Sequence, residues 1–305
     1  MKSNAEKAKQ LQDIFDKIKP SKGAGAAPGR VQISGAGVAP IEIFQTDPSD
    51  GGSYTNCSSL PLFSKISPDD ISQYGLADCY FLACLGSMAS TEKGRAYLPT
   101  ICFYDPTNPS KVIVCFQRNG TVTRIHTDLM IGSVQAKFNP ADSDLWVEIF
   151  EKAYAYYRQA ADTFASLNYG YSQAVASDLG CLPVGSLSIA TPFDTIRTAL
   201  SNQQILTICT TTTPGLGLVG NHEYFCLSID SANNIYLENP WGFSGGVKFV
   251  TIAPADMKTT NFNYYEYGTI PAVTIDQSAL IAQLEAKLAQ ALLDIQNAKN
   301  ILGGV

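Results

Sequence analysis

The stretch QYGLADCYFLACLGSMAS, residues 73–90, begins with small and polar residues, sets Cys79 directly after Asp78 and then turns apolar with helical spacing. This predicts a helix over 79–90 with a thiol in its first turn. Unpaired N–H groups and the helix dipole there favour a thiolate, which is how a reactive cysteine is made. A second reading stands beside it, because a free cysteine is also a small residue well suited to burial. The chain holds only two histidines, His126 and His222, so a general base for such a thiol has two candidates.

His222 lies in GNHEYFCLSID at the start of a strand-like run, and Asn239 closes another in LENPWGFSGG, where Pro240 cannot extend a ladder. A turn at residues 231–234 would pair these strands as a hairpin and bring His222 and Asn239 to one end of a sheet. The asparagine oxygen can then accept from one imidazole nitrogen, fix the tautomer and leave the other nitrogen facing a thiol. That is the logic of a Cys-His-Asn triad. The separation of His222 from Cys79 falls within the roughly 130–150 residues found in papain-like thiol hydrolases. His126, in TRIHTDLM, reads as an exposed or half-buried strand histidine, and the aromatic run NFNYYEYG at 261–268 as cover for a sheet.

These residues need elements to position them. A hydrophobic content of 45% supplies a core for a globular chain of 305 residues. Helices are predicted at 79–90, 144–160 and 193–201, with a hairpin across VIVCFQRNGTVTRI turned at Asn119-Gly120. From about residue 203 to 275 the pattern changes to short strands separated by turn residues, an antiparallel sheet half. The net charge of −6 and pI of about 5.0 offer no basic face for nucleic acid or anionic lipid. No apolar run is long enough to cross a bilayer. The eight cysteines are spread without a CxxC pair, so neither a zinc site nor a redox dithiol is expected.

The ends read differently. Ala8, Leu11, Phe15 and Ile18 form an amphipathic stripe, followed by the Gly/Ala/Pro tract PSKGAGAAPGR, so residues 1–36 are expected to be a helix and a linker. The helix and linker are expected either to pack as structural support or to act as a prosegment removed by self-cleavage. Residues 276–305 carry Ile281, Leu284, Leu288, Ala291, Ile295, Ala298 and Leu302 in 3-4 spacing, which packs on the domain or self-associates. The charged start is unlike a signal peptide, and the expected location is cytoplasmic.

Four blocks, QYGLADCYFLA, LWVEIFEKAYA, GNHEYFCLSI and YLENPWG, resemble in order four blocks of the calpain protease core. The resemblance covers about residues 60–245. It implies an α+β, papain-like cysteine peptidase in two subdomains: a helical one, residues 37–202, with the nucleophile, and an antiparallel one, residues 203–275, with histidine and asparagine. The positions that match are Cys79, His222 and Asn239. Gln73 matches the glutamine whose side-chain amide joins the Cys79 N–H in binding the oxyanion, and Trp241 the tryptophan that shields the His–Asn bond.

The chain departs from the family at Ala77 and Tyr80, where glycine and tryptophan are usual. The calpain core binds calcium through an acidic residue upstream of the cysteine, matched by Asp70, and another in a loop after the EKAYA helix. That loop reads NYGYSQAVASDLG here, with alanine and serine in place of acids, so calcium independence is expected, with no metal and no cofactor. The expected partner is a protein or peptide substrate. The alternative is a latent or catalytically silent protein that uses the fold as a binding or assembly surface.

Overall fold

The computed structural model describes residues 39–137, 144–242 and 247–273. The expected terminal helices and the linker lie outside the described residues. What is described falls within one compact unit, residues 32–273, and it mixes helices and sheets as an α+β fold.

The thiol-bearing helix, α1 (Cys79–Ala89), starts where Asp78 accepts from the N–H groups of Phe81 and Leu82 through its backbone oxygen, 2.8 and 3.1 Å. Ten of its eleven residues are buried, so it is a central helix with neighbours all round rather than an amphipathic surface one. Helix α2 (Glu92–Ile101) follows, capped by Thr91, whose hydroxyl accepts from Gly94 N at 3.0 Å. Helix α3 (Trp146–Gln159) buries Trp146, Ile149, Phe150, Ala153 and Tyr154 at helical spacing. The short α4 (Ser172–Asp178) and α5 (Phe193–Ser201) complete the described helices.

A four-stranded sheet runs in the order β1-β5-β4-β3, with β1 (Ile41–Phe44) parallel to β5 (Thr121–Asp128) and β3 (Cys102–Asp105) antiparallel to β4 (Asn108–Arg118). The β4–β5 hairpin turns at Asn119-Gly120, both with positive φ (52° and 76°), the geometry that Asn-Gly favours in a two-residue turn. Here His126 is more enclosed than expected. It is buried on β5, with Asp105 at 3.0 Å from Nδ1, Glu42 at 2.7 Å from Nε2 and Phe44 stacked on its ring. It tethers the edge strand β1 and has a structural role. Two short strands, β2 (Tyr54–Asn56) and β6 (Met130–Gly132), pair separately.

A six-stranded sheet has the order β11-β10-β9-β8-β12-β7, formed by β7 (Val184–Ser188), β8 (Ile205–Thr210), β9 (Glu223–Ile229), β10 (Ile235–Glu238), β11 (Phe249–Ile252) and β12 (Phe262–Gly268). Every pairing in it is antiparallel. The aromatic run at 261–268 is β12, whose Phe262 and Tyr265 are buried.

Two hydrophobic clusters form the core. One gathers Phe81, Leu82 and Leu85 of α1 with Phe150 and Tyr154 of α3 and Phe116 of β4. The other gathers Ile196 of α5 with Leu206, Ile208, Tyr224, Leu237 and Tyr265 of the six-stranded sheet. Helix α1 also touches that sheet. Ser87 Oγ accepts from Leu206 N at 2.9 Å, and a Cβ added at Gly86 would lie 2.6 Å from the Phe225 ring. Glycine therefore allows the helix and β9 to approach closely. Gly86→Ala is expected to cost about 1–3 kcal/mol through overpacking, read as a lower urea midpoint at unchanged slope. An unchanged midpoint would contradict this close packing.

Candidate active site

Strand β9 begins just after His222, and β10 ends just before Asn239. The two strands are joined by a turn in which Asp230 Oδ1 accepts from Ala232 N and Asn234 N, 2.9 and 2.8 Å. Their register pairs Glu238 with Phe225, which sets the histidine and asparagine side chains together at the strand ends. His222 Nε2 lies 2.8 Å from Asn239 Oδ1, and both residues are buried. Trp241 N donates to the same oxygen at 3.0 Å, which orients the amide. An amide oxygen only accepts, so Nε2 carries the hydrogen and Nδ1 of the neutral ring keeps its lone pair. The indole of Trp241 packs on the imidazole with ring centres 5.0 Å apart, and Tyr224 meets the ring edge-on.

Cys79 reaches the same place from α1. Its sulfur accepts from the backbone N–H of Glu223, the residue after His222. Gln73 arrives through its backbone, whose N–H donates to Pro240 O at 2.7 Å, between Asn239 and Trp241. That turn sits tightly on the Gln73 segment. A Cβ at Gly242, where φ is +57°, would meet Ile71 O at 2.3 Å. The structure thus sets Cys79 against the residue that follows His222, and Gln73 against the turn that joins Asn239 to Trp241.

The Gln73 side chain is engaged within the protein. Nε2 donates to Leu76 O at 2.7 Å and to Asp78 Oδ1 at 3.1 Å, so both amide hydrogens have acceptors in the substrate-free chain.

The electrostatics differ from the expectation for an exposed helix N-terminus. Burial pushes the Cys79 thiol up to about 12; the Glu223 N–H opposes this, while the carboxyls of Glu223 and Asp78 add to it. Burial also holds His222 down at about 4, with its bond to Asn239 acting the other way. At neutral pH the resting pair is therefore thiol and neutral imidazole. The helix-start effect is worth only a fraction of what enclosure costs a thiolate.

Other residues at the site lay beyond the motifs. Glu223 is buried beneath the thiol, accepts from Thr207 Oγ1 at 2.5 Å and Ser172 Oγ at 3.3 Å, and is raised to about 8 by burial and by the neighbouring Glu266. Its signal in the sequence was an acid opening an otherwise apolar strand run. Arg158 of α3 donates to Ser166 O, to Tyr169 O and to the Tyr80 hydroxyl, so it holds the 166–169 segment, whose Tyr169 N donates to Ala77 O.

Asp70 does not face this group. Its carboxylate accepts from Ser67 N and from Trp146 Nε1, both at 2.9 Å, closing a capping box and tying α3 to the 67–71 segment. Asp178, the acid in NYGYSQAVASDLG, takes a two-pronged bond from Arg118 and one from the Tyr154 hydroxyl. Among the described residues no three His, Cys, Asp or Glu side chains are grouped to hold a metal, and no helix is long and apolar enough to cross a membrane.

Comparison with curated proteins yields no match. The family description for calpain family cysteine proteases matches residues 53–246, a span that takes in α1 with its thiol, the His222 strand and the turn after Asn239. With more than half of its length matched in this way, the chain belongs to the calpain family of cysteine proteases.

Proposed function

We propose that this chain is a calpain-like cysteine endopeptidase that cleaves peptide bonds through Cys79, His222 and Asn239, in a papain-like arrangement of two subdomains that meet at α1. The observation that carries this reading is the His222 Nε2–Asn239 Oδ1 bond of 2.8 Å. It leaves Nδ1 as the basic nitrogen, while the thiol takes the N–H of the adjacent Glu223.

Cys79 gives its proton to His222 Nδ1 as the sulfur attacks the substrate carbonyl, because both groups rest in their neutral forms. The imidazolium so formed is steadied by Asn239, and Trp241 keeps water from their bond. Negative charge on the carbonyl oxygen is met by the Cys79 N–H and one hydrogen of the Gln73 amide. A single such donor is worth on the order of a hundredfold or more in rate. His222 then protonates the leaving amine, and water drawn by the neutral His222 hydrolyses the thioester.

The chemistry proceeds without calcium in this reading. The acid aligned with the family's upstream calcium ligand, Asp70, is tied through Oδ2 to Ser67 N and Trp146 Nε1, and Asp178 is held by Arg118 and Tyr154. Neither fits a hard cation that needs several free oxygens. Hydrolysis of fluorogenic peptides is expected at equal rates with calcium and with excess chelator. A rate that appears only with calcium would overturn this part of the reading and restore a metal switch.

The second reading, a latent or silent binding protein, is favoured by one observation: both Gln73 amide hydrogens are donated internally. It predicts no turnover of any peptide in either buffer.

A further inference from the structure

Two linked buried acids, one of them next to Cys79, have no part in that mechanism. Asp78, immediately before the nucleophile, and Glu151 on α3 are both enclosed, and their carboxyl groups are hydrogen-bonded to each other. Ionised carboxylates only accept, so a bond between two of them requires a proton. Asp78 Oδ2 is buried without a close donor among the described residues, and beyond its own backbone N–H and Gln73 the Asp78 carboxyl is met by Glu151, which donates only when it carries that proton. Burial favours its retention, raising Glu151 well above the usual carboxyl range and Asp78 to about 6. Both oxygens of Glu151 share the Ala136 N–H, at 3.0 and 3.3 Å, which anchors it to the segment before α3.

The other end of this chain of bonds is Gln73. Asp78 Oδ1 takes one of its amide hydrogens at 3.1 Å and Leu76 O the other at 2.7 Å, while its backbone N–H is on Pro240 O. The carboxamide is thus fixed in plane and direction next to Cys79, and its longer, weaker bond is the one to Asp78.

Resting on the peptidase reading above, we propose that Asp78 and Glu151 are a positioning pair: they hold the Gln73 carboxamide ready, and Gln73 turns the hydrogen now on Asp78 to the oxyanion that forms at Cys79. A donor parked on a buried acceptor is already desolvated and has only to swing from Asp78, so little solvent reorganisation remains for the transition state. Asp78 and Glu151 never touch the substrate. They act through Gln73.

The test compares Asp78→Ala, Glu151→Ala and Glu151→Gln with wild type in two assays. One gives kcat and KM for a fluorogenic peptide. The other is the rate at which iodoacetamide alkylates Cys79, a displacement at a saturated carbon that builds no carbonyl oxyanion. The alanine variants are expected to lose tenfold or more in kcat, with KM and the alkylation rate within about threefold of wild type. Glu151→Gln still donates to Asp78 and is expected to restore most of the kcat lost by Glu151→Ala.

An unchanged kcat in the alanine variants overturns the proposal, and so does a Gln variant as slow as the Ala variant. A parallel fall in kcat and alkylation also overturns it, since that marks a damaged helix start. If the alanine variants do not fold, Asp78→Asn decides, because asparagine can accept from Gln73 and donate to Glu151. A folded Asp78→Asn within about threefold of wild-type kcat supports the proposal, and a tenfold loss overturns it. Wild type that turns over no peptide removes the peptidase reading and this proposal together, whereas normal turnover in every variant removes the proposal alone.

Discussion

Cys79→Ala is expected to abolish peptide hydrolysis, a loss on the order of 10⁵-fold or more in kcat, with the fold intact. The size follows from the nucleophile's place in both chemical steps: no thioester forms without the sulfur, and what remains is water in a pocket with donors. No other thiol can replace it. Cys57, Cys84, Cys102, Cys115, Cys181 and Cys226 are buried, and the half-buried Cys209 of β8 is engaged with the Glu223 carboxyl, its thiol pushed up to about 11 by burial and that acid. The side chain of Cys79 is small and its removal at the start of α1 deletes one sulfur, so the thermal midpoint is expected to stay within a few degrees. Hydrolysis that survived in Cys79→Ala would move the chemistry to another residue.

His222→Ala is expected to lower kcat/KM by roughly 10³-fold or more, because the buried thiol then has no base to take its proton. The same residue sets a pH signature. With His222 near 4 and Cys79 near 12, the productive neutral pair exists between those limits. Wild-type kcat/KM should rise through pH about 4 and show no step near 6.5, the ordinary histidine value.

Stability should follow with a defined sign. The unfolded chain takes up this proton near 6.5 and the folded chain near 4, so the contribution of His222 is full above 6.5 and is lost as pH falls toward 4. Urea midpoints measured from pH 7 to 4 should therefore fall less steeply in His222→Ala than in wild type. An activity step at 6.5 in wild type would show a solvated histidine and contradict the neutral resting pair.

Strong local signals carried part of the fold and much of this site. Asn-Gly at 119–120 marks its turn because both residues accept positive φ, and Pro240 ends β10 because it lacks an N–H, which leaves Asn239 at the strand end. The hairpin joining His222 to Asn239 follows from two short apolar runs and the turn between them.

Long-range contacts were not legible. Strands β1, β3 and β7 have four or five residues and gain their place by pairing with distant strands. Helix α2 contains Gly94 and Pro99, which obscure its helical pattern, and the start of α4 is met by Glu266, whose Oε2 accepts from Gln173 N at 3.1 Å. The same limit applies to the chemistry. Nothing adjacent to Cys79 announces how deeply β9 encloses it, so helix-start reasoning pointed to a thiolate where burial holds a thiol. The partnership of Asp78 with Glu151 likewise depends on α3 packing behind α1.

The most direct test is to treat the wild-type chain with a thiol-reactive peptidyl epoxide, with calcium and with chelator, and locate the adduct by mass spectrometry. A peptide-directed adduct on Cys79 alone, formed equally in both buffers and lost in His222→Ala, is the expected result. Adducts scattered over several cysteines, or none on Cys79 in either buffer, would contradict an assembled peptidase site.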